Sequence, residues 1–162
     1  MKRSKYLTPL SWEHHSALVN ASRIKRGLAL KADTAILQEF MEYLWKTDLQ
    51  PHFQREEDAF LPQKDWQQVA EDLRSHMLND HKEFARLAEQ ISKTTAVDKK
   101  TEAMERFADL LTGHVRFEER RLFPAIEDAF DEDALIAIGA QLKERHVPGC
   151  IHWQPAFWEK GK

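Results

Sequence analysis

Two short segments of this chain place histidine and glutamate four residues apart in the same setting. His52-Phe-Gln-Arg-Glu56-Glu57-Asp-Ala-Phe60-Leu61-Pro62 and His114-Val-Arg-Phe-Glu118-Glu119-Arg-Arg-Leu122-Phe123-Pro124 both read H-x-x-x-E-E-x-x, then two apolar residues, then proline. On a helix, residues i and i+4 lie about 40° apart around the axis and roughly 6 Å along it. Each pair therefore aims one imidazole and one carboxylate at a common region beside its helix. Two further histidines follow an acid, in Glu13-His14 and Asp80-His81. Four imidazoles and two carboxylates, with no thiolate among them, suit iron, manganese or zinc rather than a thiolate-rich structural site.

Helices must carry these groups. Thr8-Pro9 reads as a cap followed by proline at the first helical position, and Leu10, Ala17, Leu18, Ala21 and Leu28 then recur at helical spacing toward Gly27. Asp33 can cap a second helix with Leu37, Phe40, Met41, Leu44, Trp45, Leu49 and Phe53 on one side, and Pro51 within it predicts a kink or break. Asp65-Trp-Gln-Gln68 has the form of a capping box opening a third helix, whose stripe is Leu73, Met77, Leu78, Phe84, Ala85, Leu87, Ala88 and Ile91. After a polar linker at 92–100, a fourth helix carries Phe107, Leu110, Leu111, Phe117 and Leu122, and runs past Pro124 or restarts there. Asp131 can cap a short fifth helix bearing Leu135, Ile136, Ile138 and Leu142.

No run of alternating β-branched residues competes with this pattern. The expected fold is all-α: an antiparallel up-down four-helix bundle of two related hairpins, with a short fifth helix and a C-terminal tail. One domain is expected over 1–162, its bundle core at about 8–130 and the C-terminal helix and aromatic tail at 131–162.

On each of the four long helices the ligand-type residues share the side of the apolar stripe, so they point inward. An unpaired ionised carboxylate in a core is costly and normally neutralises, pairs or binds metal. No Lys or Arg falls on these stripes as a partner, which leaves metal as the simplest compensation. If each carboxylate bridges with both oxygens, the protein supplies eight donor atoms (4 + 2 × 2). Two octahedral ions want about twelve positions. A bridging oxo or hydroxo group and open sites for water or dioxygen would fill the remainder.

Composition narrows the class. A charge of −3 from 24 basic and 27 acidic residues gives no reason to expect a nucleic-acid partner, and Arg23, Lys25 and Arg26 read as a solvated helix face. Cys150 has no partner for an internal disulfide, no signal-type apolar run follows the basic start, and no stretch has the length of a membrane span. A cytoplasmic location with no membrane attachment is the expectation. His146, Cys150 and His152 lack a fourth ligand, and Ile151, Trp153, Phe157 and Trp158 are expected to pack on the bundle or form a homodimer contact. No phosphate-binding loop or nucleophile elbow is present.

With EHH at 13–15, HFQREEDAFLP at 52–62, DH at 80–81 and HVRFEERRLFP at 114–124, residues 8 to 130 resemble the hemerythrin family, specifically bacterial hemerythrin-like HHE cation-binding domains. The resemblance implies two non-haem iron ions, oxo- or hydroxo-bridged, held by His14, His52, Glu56, His81, His114 and Glu118, with Glu56 and Glu118 as bridges. Ferritin-like di-iron proteins instead use Glu-x-x-His, the reverse order and one residue shorter. His76 precedes His81 by five residues, about 140° around a helix, so the two do not face one centre. Leu10, Ala17 and Ala21 favour His14 over His15 as the inward residue. Glu57 and Glu119 are expected at the surface or behind the ligands, with Glu57 able to enter a coordination shell when a ligand leaves. The expected function is to bind or sense dioxygen, nitric oxide or iron. Its alternatives are a di-iron enzyme acting on peroxide or repairing nitrosative damage, and a zinc-loaded or metal-free bundle acting through protein contacts.

Overall fold

A computed structural model of the chain describes residues 4–144 and 152–161. Every regular element among the described residues is helical: α1 Thr8–Ala29, α2 Thr34–Leu44, α3 Gln50–Phe60, α4 Glu71–Lys93, α5 Val97–Phe117, α6 Phe123–Ala129 and α7 Glu132–Glu144. Two π-helical turns, Trp45–Leu49 and Glu118–Leu122, join α2 to α3 and α5 to α6 without a break. Four long rods result, namely α1, α2–α3, α4 and α5–α6. Short connections make consecutive rods antiparallel. α5 packs on both α1 and α4, α2 faces α4, and α7 lies against α1 and α3. The all-α bundle read from the helical spacing is the fold observed.

Prolines account for the π turns. Pro51 and Pro124 each come two residues after such a turn, in the first positions of α3 and α6. A proline inside a helix has no N–H and crowds the carbonyl four residues earlier. Widening the preceding turn to i→i+5 bonding relieves that conflict while the rod continues. Pro51 therefore produces a rewound turn in place of a break. Pro62, in the first motif, follows a helix that has already ended at Phe60.

Several boundaries differ from expectation. Asp65-Trp-Gln-Gln68 does not open the third helix; Lys64–Gln68 is a 3-10 turn and α4 starts at Glu71. The Asp65 side chain is buried and accepts from the Asp131 backbone N–H at 3.0 Å, fastening the approach to α7 onto the bundle end. Thr8 is the first residue of α1, and its hydroxyl donates to the Ser4 carbonyl. The linker at 92–100 shrinks to three residues, because α4 runs to Lys93 and α5 begins at Val97. Asp33 and Asp131 do accept from the Ala35 and Ala134 N–H groups, as helix caps should.

The core divides into two apolar clusters. One gathers Ile24, Phe40, Leu44, Phe84, Leu87 and Phe107, and the other Leu10, Phe60, Met77, Leu122, Phe123 and Ile138. Along every rod the expected ligands fall between the two. On α1, Leu10 and Ala17 bracket His14; on α3, Phe53 and Phe60 bracket Glu56; on α4, Met77 and Phe84 bracket His81; on the fourth rod, Leu111 and Leu122 bracket His114 and Glu118. The fold thus holds a polar layer across the middle of a dry bundle. In the tail, Trp153, Phe157 and Trp158 pack against Phe40, with ring centroids 4.9–6.5 Å away. His146, Cys150 and Ile151 lie outside the described residues, and His152 is exposed.

Candidate metal centre

The polar layer brings all six expected residues together. His14, His52, Glu56 and Glu118 form one group of converging donor atoms, and Glu56, His81, His114 and Glu118 form another; within each group the atoms lie within 4.8 Å of one another. Every one of these side chains is buried. His15, one residue from His14, is exposed. His76 joins neither group: it stacks on Phe117 at 3.7 Å and its Nε2 is 3.3 Å from Asp80 Oδ2.

Each carboxylate divides its two oxygens between the groups. Glu56 Oε1 lies 3.0 Å from His52 Nε2 and 3.7 Å from His14 Nε2, while its Oε2 lies 3.3 Å from His81 Nε2. Glu118 Oε2 lies 3.0 Å from His14 Nε2, and its Oε1 lies 3.3 Å from His114 Nε2. Adjacent ligands of one ion, with metal–donor bonds of about 2.1 Å, are separated by roughly 3.0–3.4 Å. Four of the five spacings fall in that range and His14–Glu56 is wider, so each group of two histidines and one oxygen of each glutamate could hold a cation.

Satisfaction of the polar atoms gives an independent test. His14 Nε2, His81 Nε2, His114 Nε2 and both oxygens of Glu56 and Glu118 are buried without a hydrogen bond. Native interiors rarely leave such groups unpaired, and two carboxylates among them make the cost larger. The donor set therefore fits bound cations.

The opposite ring nitrogens are all satisfied, and in an ordered way. His52 Nδ1 donates to Glu13 Oε2 at 2.8 Å, His81 Nδ1 to Glu57 Oε1 at 2.8 Å, His114 Nδ1 to Asp80 Oδ2 at 3.0 Å, and His14 Nδ1 to Glu119 Oε1 at 2.7 Å. Each rod's acid thus holds the histidine of the next rod, and the fourth closes on the first. With Nδ1 committed to these acids, Nε2 is the nitrogen each ring turns toward the centre, where a bound cation would replace its proton.

Charges in the metal-free layer reflect this crowding. Burial opposes a positive His52, yet the Glu56 carboxylate, with Glu13, outweighs it and pushes the imidazole up to about 9. His114 is likewise disfavoured by burial and raised to about 9 by Glu118 and Asp80. For His14, burial is again overcome, by Glu118, Glu119 and Glu56, and its pKa stands well above the ordinary value. Burial works against ionised Glu56, but the histidines around it, His52 foremost, hold it well below the usual carboxylate range. Glu118 is held down by His114 and His14 against both burial and the repulsion of Glu56.

A family model, the hemerythrin HHE cation binding domain, matches residues 10–142. The chain belongs to the hemerythrin HHE family. Neither a curated protein nor a solved structure matches it. The hemerythrin match extends beyond the two motifs through most of α7, whose Leu135, Ile138 and Leu142 are buried against the bundle while Ile136 is exposed.

Sequence reasoning missed part of this HHE centre. Glu13 and Asp80 are visible in the sequence only as the residue before a histidine, yet each serves a histidine on the following rod. No Lys or Arg is expected on the apolar stripes; Arg55, beside the stripe, is nevertheless buried and its Nη1 donates to Glu13 Oε1. Arg55 lies off the apolar stripe in sequence, and the partners that bury it come from α1 and α7. Among the described residues no helix is long and apolar enough to cross a membrane.

Proposed function

We propose that this hemerythrin-like chain holds two iron ions side by side, with Glu56 and Glu118 bridging them, and uses the centre to bind or sense dioxygen or nitric oxide. The division of each glutamate's oxygens between the His14/His52 pair and the His81/His114 pair carries the reading. Resemblance of the ligand set to di-iron members of the family favours iron. Four protein donors would satisfy a tetrahedral zinc ion completely, whereas an iron preferring six leaves positions open. Bound iron would supply redox-active sites with room for a small ligand.

What the chain's own residues do follows from their placement. The four Nδ1 bonds fix each imidazole so that Nε2 stays aimed inward. Phe53 stacks on His81 at 4.4 Å, Phe84 meets His114 edge-on at 5.4 Å, and Phe123 stacks on His14 at 5.4 Å, excluding water. Beside His52, a recess of about 20 Å³ is lined by Glu13, Ser16, Asn20 and Asp48. A larger recess of about 230 Å³, lined by Met41, Trp45, Phe107 and the exposed Lys46, Glu89 and Lys93, opens at the surface and includes none of the six residues.

Elemental analysis of protein from iron-replete cells, handled without chelators, tests the reading. About two irons per chain, with an absorption change on exposure to dioxygen or nitric oxide, is expected. Zinc or no metal in its place would leave the bundle acting through protein contacts. Two irons that turn over peroxide, with no stable ligand complex, would make it an enzyme.

A further inference from the structure

Arg55 is the one lysine or arginine buried among the described residues, and it lies one position from Glu56. Its Nη1 donates to Glu13 Oε1, and its Nη2 donates to the Leu142 carbonyl at 2.7 Å, in the last turn of α7. The final carbonyls of a helix lack intrahelical partners and carry its negative end, so Leu142 is a natural acceptor. Glu13 Oε2 accepts from His52 Nδ1. A continuous chain of hydrogen bonds therefore runs from α7 through Arg55 and Glu13 to His52.

The other three carboxylates of the ring are placed differently. The side chains of Glu57 and Glu119 are 31% and 29% exposed and that of Asp80 is 16% exposed, against 6% for Glu13. Water screens those three, while Glu13 is shielded from water and neutralised by a guanidinium. A carboxylate on Nδ1 raises the donor strength of an imidazole. A cation sharing that carboxylate draws charge away from it, and does so strongly in a low dielectric.

We propose that Arg55 is a positioning residue that makes the two metal positions unequal: by drawing on Glu13 it leaves His52 the weaker donor, so the ion held by His14 and His52 is reduced first. The inference rests on the di-iron reading above. Each reduction adds one electron, from an external chemical reductant, to convert one Fe(III) to Fe(II). Weaker donation and a nearby cation both favour the lower charge at the His14/His52 position. The two HxxxE motifs, which share the histidine, both glutamates and the closing proline, would thus serve unequal ions because residue 55 is arginine where the second copy has Phe117.

Potentiometric titration of the iron-loaded full chain, followed by absorbance and by the paramagnetic resonance of the half-reduced state, tests this. The unmodified chain is expected to show two resolved one-electron steps. Arg55→Gln should lower the equilibrium constant of the upper step about tenfold, ~59 mV for one electron, and leave the lower step in place. Arg55→Lys, which keeps the charge, should retain most of the wild-type separation. Glu13→Gln should move the upper step in the opposite direction. Equal shifts in the glutamine and lysine variants, or both steps moving together, would mean that Arg55 acts only through packing and would overturn the proposal. Should Arg55→Gln not fold, an unmoved upper step in Glu13→Gln overturns it equally. Iron content is measured first on the same samples: fewer than two irons in the unmodified chain defeats the di-iron reading itself. Two irons with an unmoved potential defeats only the role of Arg55.

Discussion

His114 stands between two acids that make different demands on it. Its Nδ1 side is held by Asp80, and its Nε2 side lies 3.3 Å from Glu118 Oε1, both within a buried layer. His114→Ala is expected to leave the position shared with His81 one nitrogen short and to strip Glu118 of one of its two histidine neighbours. On the di-iron reading proposed above, iron content should fall from two per chain to one or none. The metal-free fold should lose about 3–5 kcal/mol, the usual cost of breaking a buried charged pair. His15→Ala, at an exposed neighbour of His14, should change neither quantity. Elemental analysis and denaturant unfolding measure both; a full iron complement in His114→Ala would place the metal elsewhere. At this scale four of the six converging residues are legible in sequence because HxxxE is a local device with both partners on one rod, and His14 and His81 are legible from their place on apolar stripes. The roles of Glu13, Asp80 and Arg55 are not, since each acts on a different element from its own, and only the packing of rods brings them together.

Elements are legible to the extent that apolar spacing alone decides them. The stripes on α1, α2–α3, α4, α5–α6 and α7 are read correctly in their main lines, though Ala85 on α4 and Ile136 on α7 face outward. The start of α4 is misread because Asp65 is drawn into a long-range bond to Asp131, which local capping rules do not anticipate. Packing of the tail depends on another long-range detail. On α1, a Cβ added at Gly27 would stand 2.5 Å from Phe157 Cδ2 and 3.1 Å from Leu37 Cδ2. Alanine in a helix interior ordinarily gains up to about 1 kcal/mol over glycine. Overpacking a filled site costs about 1–3 kcal/mol, so the clash wins here. Gly27→Ala is expected to displace Phe157 and with it the tail. Trp153 and Trp158 fluorescence should shift to the red and the C-terminal segment should be cut faster by protease. Iron content should stay constant, because Gly27 lies roughly 20 Å along α1 from His14. Unchanged fluorescence would mean that Phe157 is not what holds the tail down.

Across the whole molecule, the ring of four acid–histidine bonds ties every rod to the next, so the polar layer is also a clamp on the bundle. Its response to pH depends on what occupies the centre. In the metal-free chain His52 and His114 are raised from 6.5 to about 9, so the folded state holds protons that the unfolded chain releases earlier. The stability they contribute is fully present below pH 6.5 and is lost as pH climbs through about 9. Glu56 and Glu118 are lowered from 4.5, so their contribution is present above pH 4.5 and disappears as pH falls through their depressed values. The metal-free protein should therefore be most stable between about pH 4.5 and 6.5 and weaken toward pH 9. Metal must displace those same protons to reach Nε2, so its apparent affinity should climb over the interval in which the empty bundle weakens. Stabilisation by a bound ligand grows with its affinity, which makes the difference between loaded and empty protein widen from pH 6.5 to 9. Thermal unfolding of both forms at pH 6, 7.5 and 9, with free metal held constant, measures that difference. A gap that stays constant with pH would mean that the cations do not replace protons on His52 and His114, and that the ring orients the imidazoles for some other guest.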